Sequence, residues 1–438
     1  MKTSFKLRNR FGLLAAVLGM ALVVAGCGSS NDGATGGGGS TGNDRLVVAT
    51  AATPTTLDPE FASSPQDREV DISVYDRFVK LADDGSGSAD LAATPEPKMA
   101  ESWKQSKDGT TFTFKLRKGV KSFQGNELTS EDVIWSWDRV FAQQSHGLFA
   151  LGVSSVEKDS YRAVDKYTVE VKLDKPNPLL PVVLATPIPG AVIYDSTEVK
   201  KHTTPDDKWG ANWLAKNTAS FGPYHAKEFI PGQQVVLEAN PNYYGDPVAL
   251  KEVIMREIPD PANRLALLRS GEADIAQDLN AELRRSLGDQ AGVKVQSQPG
   301  NLAIAYGLNN EMAPFDDPKV REAVALALPV DDIIETVYFN DPTARLFKGY
   351  VADNFPGYPD YWPHQPQDVA KAKKLVEDAG ATGEKVEISY ATTYPEHEKI
   401  AQFIASALKE IGLNPVPTKM TPAKYEEQYW TLSTPMTT

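Results

Sequence analysis

Cysteine and histidine are the side chains most often recruited as nucleophiles and metal ligands, and this 438-residue chain holds one Cys and five His. The thiol, Cys27, lies in the stretch LVVAGCGSS. A single Cys allows no disulfide within the chain and no Cys-x-x-Cys metal or redox site. His146, His202, His225, His364 and His397 are scattered, without an H-E-x-x-H, so the spacing of a zinc hydrolase is missing. No Walker A sequence occurs. Gly37 to Gly42 fits G-x-G-x-x-G and Gly38 to Gly42 fits G-x-S-x-G. Neither follows a strand or opens a helix, as the chemistry of those motifs requires. Asp83 to Asp90 hints at a calcium loop, but the expected acidic ligand at its end is absent, and a solvated turn accounts for it better. Serine or paired-carboxylate catalysis leaves no mark in sequence order, because its partners meet only in space. No catalytic residue, metal ligand or cofactor is therefore expected.

The surroundings of Cys27 suggest a different use for the thiol. Lys2, Lys6, Arg8 and Arg10 precede an uncharged apolar run from Phe11 to Ala25. That run is shorter than the roughly 20 residues needed to span a bilayer core, and with its basic head and small-residue end it reads as a secretory signal peptide. Val24-Ala25-Gly26-Cys27 resembles the lipobox of bacterial lipoproteins. The resemblance implies that residues 1–26 are removed and that Cys27, diacylated, becomes the N-terminus. An ordinary signal peptide with an incidental cysteine is the alternative. Lipid chains contribute about 0.8 kcal/mol per buried CH₂, and two of them hold a protein stably on a membrane. Loss of four basic residues moves the net charge from −13 to −17, which opposes nucleic-acid binding and leaves no polybasic handle for anionic lipid. Residues 28–44, rich in Gly, Ser and Asn, cannot bury enough apolar surface to order themselves. As a flexible coil they would span about 20–25 Å.

From Arg45 short strand and helix signals alternate, as in an α/β protein. Leu46 to Ala49 reads as a buried strand. Phe112, Phe114 and Leu116 alternate with Thr113, Lys115 and Arg117 in a half-buried one. Thr129 to Asp132 has capping-box spacing before a helix whose apolar face carries Val133, Trp137, Val140 and Phe141. Asp317 and Pro318 open another helix, with Val320, Ala323, Val324, Ala327 and Leu328 on one stripe. Val369, Ala372, Leu375, Val376 and Ala379 form a third stripe, stopped by Gly380. A strand over 385–391, a helix carrying Ile400, Phe403, Ile404, Ala407, Leu408 and Ile411, and a strand over 415–420 predict a βαβ crossover. Tyr224 after Gly222-Pro223, Tyr243-Tyr244 before Gly245, and the run from Tyr358 to Trp362 are aromatics beside turn residues. They suit core packing or the walls of an elongated ligand cleft.

Taken in order, several blocks resemble the bacterial extracellular solute-binding proteins of family 5, the peptide, oligopeptide and nickel-binding components of ABC importers. They are LVVATAATPTTLDP (46–59), VYDRFVKL (74–81), MAESWKQSKDGTTFTFKLRKGVKSFQGNELTSEDVIWSWDRV (99–140), SFGPYHAKEFIPGQQVVLEANPNYYGD (220–246), IPDPANRLALLRSGEADIA (258–276) and LNNEMAPFDDPKVREAVALAL (308–328). The resemblance implies an α/β, two-lobed periplasmic-binding-protein-like fold of the large oligopeptide-binding type. Lobe one would span 45–290 with an inserted subdomain at about 60–165, and lobe two 291–438. In VYDRFV, Asp76-Arg77 replace the commoner Glu-Gly, which puts the local turn in question.

The same resemblance implies a non-enzymatic clamp that captures an oligopeptide between its lobes and delivers it to permease subunits with their ATPases. It would act as a monomer, tethered through Cys27 to the extracytoplasmic face of the cell membrane. Ala62, Ser63 and Ser64 would pair with the peptide backbone, Phe221 and Tyr224 would flank a cleft-facing turn, and Asn309 would lie near the interlobe crossing. The acidic charge favours cationic peptides. The alternatives are the same clamp for a nickel chelate, heme or sugar, a sensing receptor, or a secreted hydrolase. Members of the family continue about 80–120 residues further, in a stretch that often carries the acid pairing with a peptide's free amine. The resemblance therefore implies an incomplete lobe two, with poor stability and weak binding.

Overall fold

Strand Arg45–Thr50 is an interior strand, second from one edge, of a five-stranded mixed sheet. The computed structural model describes residues 44–82, 94–186, 188–288, 292–296, 304–341, 344–346, 366–391, 395–431 and 433–437. In this first sheet 45–50 pairs in parallel with Glu252–Glu257 on one side and Ile275–Ala276 on the other. Gln234–Ala239 and Tyr224–Ile230 continue the sheet antiparallel beyond 252–257. Val48, Val235, Leu237 and Met255 bury one face against Val70, Val74 and Tyr75.

A second sheet is wholly antiparallel, in the order Ala100–Gln105, Thr111–Leu116, Thr168–Lys172, Tyr161–Asp165. The alternation expected at 111–116 is present: Phe112, Phe114 and Leu116 are buried, while Thr113 and Lys115 are not. Strand 168–172 pairs with both 111–116 and 161–165, so this sheet runs past residue 165. Helix Ser130–Gln143 lies over it, with Val133, Trp137 and Val140 in the shared core. Asp132 accepts from the Thr129 N–H (2.8 Å) and from the N–H and hydroxyl of Ser196 (3.0 and 2.8 Å). One carboxylate thus caps the helix and ties it to helix Ser196–Val199.

The third sheet has the order Gly307–Leu308, Met436–Thr437, Lys385–Ala391, Asn414–Met420. Strands 385–391 and 414–420 are parallel and joined by helix Pro395–Glu410, the expected βαβ unit. Helices Pro318–Ala327 and Val369–Asp378 share its core through Val320, Ala323, Val324, Ala372 and Val376. Asp317 caps the first of them by accepting from the Lys319 N–H (2.7 Å). Gly380, at φ +67°, ends the second.

Between these bodies runs helix Ala281–Leu287. Leu283 and Leu287 pack with Leu265 of helix Pro261–Ser270. Its charged residues reach the third body: Glu282 pairs with Lys399 (3.6 Å) and Arg284 with Asp341 (3.5 Å). The segment feeding it is held by Arg264, 2% exposed, which donates to the carbonyls of Ile258, Pro259, Gln277 and Asp278 at 2.6–2.9 Å.

Candidate functional site

Ligands of open α/β sheets gather beyond the carboxyl ends of parallel strands, where connections leave in different directions. Here 45–50, 252–257 and 275–276 end together. The chain after 45–50 is drawn across this edge, as Thr53 donates its N–H and hydroxyl to Glu257 (both 2.8 Å) and accepts from the Gly232 N–H (2.8 Å). From the same edge Gln277 donates to the Glu69 carboxyl.

The segment 58–64 is fastened from beneath. Asp58 receives Arg139 on both oxygens and the Tyr194 hydroxyl on one (2.8 Å); all three side chains are buried. Glu60 accepts from the Ser145 hydroxyl (2.5 Å) and the Gly190 N–H (2.9 Å). Burial pushes the Glu60 carboxyl up, against those two donors. Asp67 takes the N–H groups of Thr55 (2.6 Å), Ser63 (2.9 Å) and Ser64 (2.8 Å). Burial alone would raise its carboxyl, but the backbone donors outweigh it and hold the group below the usual range. Arg68 donates to the Ala62 carbonyl (2.9 Å).

This census bears on the expected ligand contacts. Ala62 and Ser64 are extended (φ −65°, ψ 127° and φ −92°, ψ 159°), and Ala62, Ser63 and Ser64 form one segment linking the 3-10 turn Pro59–Phe61 to helix Pro65–Val74. Ala62 is buried and Ser63 exposed, while Ser64 caps helix Pro65–Val74. The three N–H groups are already paired, and the carbonyls of Ala62 and Ser64 are taken by Arg68 and by the following helix. The Ser63 carbonyl is left without a partner among the described residues. A ligand backbone would meet one acceptor here instead of a full ladder.

The other expected residues lie elsewhere. Phe221 is 1% exposed and packs in the core under the second sheet, so its ring is a packing group and not a cleft wall. Tyr224 sits on the far strand of the first sheet, separated from 45–50 by two strands, and donates its hydroxyl to the Leu250 carbonyl (3.1 Å). Asn309 belongs to the third sheet's turn: its N–H donates to the Pro435 carbonyl (2.8 Å) and its Oδ1 accepts from the Glu311 N–H (3.0 Å). Cys27, the Asp83–Asp90 stretch and the Tyr358–Trp362 run lie outside the described residues.

The altered turn at Asp76-Arg77 has its own support. Asp76 accepts from the hydroxyls of Tyr244 (2.7 Å) and Tyr243 (3.2 Å) and pairs with Lys98 (3.4 Å). Burial, then the Asp76 charge, pushes both phenols up. Two of the aromatics read as possible cleft walls are therefore partners of a carboxylate. Sequence reasoning missed Arg139, which with Asp138 interrupts the apolar residues between Trp137 and Val140 and carries no local mark of its buried partner.

A cavity of about 550 Å³ lies against the third sheet, lined by Tyr306, Val324, Ile333, Ile400 and Met436 with Arg321. None of its lining residues belongs to segment 51–64. Among the described residues no three His, Cys, Asp or Glu converge as a metal site, and no helix is long and apolar enough to cross a membrane.

Three larger sheets with separate cores, two of them joined through the 277–287 segment, make the two-lobed α/β fold of periplasmic binding proteins; a two-stranded ribbon of Val79–Leu81 and Pro95–Pro97 completes the sheets among the described residues. The ABC transporter-associated periplasmic binding protein DppA from Helicobacter pylori, solved with the peptide STSA, superposes with a TM-score of 0.79 at 24% identity, covering 90% of this chain and 77% of that one. Residues 94–434 match the bacterial extracellular solute-binding proteins, family 5 (Middle), and the chain belongs to that family. It is 29% identical over 375 residues to the probable D,D-dipeptide-binding periplasmic protein DdpA of Escherichia coli K12, covering 84% of this chain and 69% of that protein. It is 28% identical over 357 residues to the periplasmic oligopeptide-binding protein OppA of the same organism, covering 74% and 63%. The match thus spans about two thirds of the length of these relatives.

Proposed function

We propose that this protein is the substrate-binding component of an ABC importer that captures oligopeptides between its lobes and hands them, unaltered, to a membrane permease. The observation that carries this reading is the family match over 94–434, together with relatives whose names specify dipeptide and oligopeptide binding. The exposed Ser63 carbonyl, without a partner among the described residues, supports it, since main-chain hydrogen bonds recognise what all peptides share. Bridging water completes polar contacts without fixing side-chain identity. In this reading the mature protein is a monomer held at the extracytoplasmic face of the membrane by lipid on Cys27.

Mass spectrometry of ligands co-purified from cells tests the proposal. Intact short peptides are the expected result. A metal chelate, heme or sugar would replace the ligand class, and peptide fragments produced by the protein would replace the binding role with a hydrolytic one.

A further inference from the structure

We infer that the outward face of the second sheet docks on the anionic lipid headgroups of the membrane that carries the protein. The inference rests on the tethered, extracytoplasmic reading above and adds to it the face that the body turns toward the bilayer.

The face is built by strand alternation and register. Phe112, Phe114, Val169 and Val171 point into the core beneath helix Ser130–Gln143, so the residues between them point out. Cross-strand pairing sets Lys104 beside Thr113, Thr113 beside Glu170 and Glu170 beside Arg162 in one row. The neighbouring rows hold Ser102, Lys115 and Thr168, and Thr111 with Lys172. Lys104, Lys115, Lys172 and Arg162 are all exposed. Arg162 is satisfied by Glu170 (2.7 and 2.9 Å), and Asp165 at the end of the edge strand answers both Lys115 and Lys118. Lys104 and Lys172 are left as cations without an ion-pair partner among the described residues.

No basic run marks this face in the sequence, because Lys104 and Lys172 are 68 positions apart and only the register brings them onto one surface. Residues 98–175 carry 13 Lys and Arg against 11 Asp and Glu, a net of +2, whereas the chain from Cys27 onward carries −17. The remainder of that chain therefore carries −19. Beside a negative headgroup layer the two parts are driven in opposite directions. The lysines are attracted within a Debye length of about 8 Å, and the acidic remainder is repelled. Four strands make a broad surface from which long lysine side chains reach one plane together, while Ser102, Thr111 and Thr113 offer hydroxyls to phosphate oxygens. A linker spanning about 20–25 Å lets this face settle without straining the tether.

Lysine acylation read by mass spectrometry tests the inference on the full chain, coupled through Cys27, its one thiol, to a maleimide lipid in vesicles. The coupling is independent of lipidation in the cell, so failure here is distinct from failure of the tether. On phosphatidylglycerol vesicles Lys104, Lys115 and Lys172 should react about fivefold more slowly than on phosphatidylcholine vesicles. Lys385 and Lys409, on the third body, should react equally on both. Salt at about 0.5 M should abolish the protection. Lys104→Gln combined with Lys172→Gln should return Lys115 to its rate on phosphatidylcholine. Equal rates on the two vesicles, or protection spread evenly over all lysines, overturns the inference. Protection of this face in solution would assign it to a second copy of the chain and overturns it too.

Discussion

Arg139 and Asp58, 81 residues apart in the chain, meet as a two-pronged ion pair from which solvent is excluded. The pair joins the helix over the second sheet to the loop that forms the candidate edge, and the Tyr194 hydroxyl completes it. Breaking one partner strands a buried charge, which costs about 3–5 kcal/mol. Asp58→Asn is therefore expected to lower the unfolding free energy by that order, measured by denaturant titration. Asp58→Leu combined with Arg139→Met should cost less than the sum of the single changes. Strict additivity would show that the two side chains act independently.

Gly222 lies so close to the Val74 carbonyl oxygen that a Cβ would overlap it. The obstacle is backbone, which has no rotamer to yield. Gly222→Ala should therefore destabilise by about 3 kcal/mol, visible as an earlier thermal transition. A wild-type melting curve would mean that the 74–76 turn shifts at little cost.

Asp71 is 4% exposed, and neither of its carboxylate oxygens has a hydrogen-bond partner among the described residues. Burial raises its carboxyl well above the ordinary value; Arg68 and Arg77 oppose the shift, and Asp67 and Asp58 add to it. An acid raised in the folded state contributes stability below its unfolded pKa of 3.8, and loses it as pH rises toward the folded value. Asp71→Asn should therefore raise stability at neutral pH and flatten the decline above pH 4. Chemical denaturation across pH 4–8 measures the difference. An unchanged slope would place the decline on another group.

Much of the architecture was legible because it depends on local periodicity. The two-residue alternation at 111–116, the helical stripes at 318–327 and 369–378, and the βαβ unit at 385–420 each follow from side chains that must share a face. Long-range pairing was not legible. Nothing local joins Asp58 to Arg139, or marks Asp76 as the acceptor of Tyr243 and Tyr244, because these partners meet only after the sheets are assembled. The same limit applies to the site. Ala62 to Ser64 are placed together as contiguous residues must be, but Asp67 consumes two of their N–H groups through a cap formed in space. Phe221 illustrates the opposite case: an aromatic beside Gly-Pro looks like a cleft residue until the core that receives it is known.

The proposed lipid tether on Cys27 predicts a change of location and not of fold. Cys27→Ala should move the protein from the membrane fraction to the soluble or medium fraction, since one myristoyl-sized chain is marginal and none gives no anchor. Retention in the membrane pellet after alkaline washing would exclude a lipid bond at this thiol as the anchor.

The central claim is that the chain binds peptides and leaves them intact. Calorimetric titration of the purified protein with short peptides, followed by mass analysis of the recovered ligand, addresses it most directly. Saturable one-to-one binding at about 10 µM or tighter, with the peptide recovered whole, is the predicted result. Absence of binding to any peptide, or loss of the peptide with time, would contradict it.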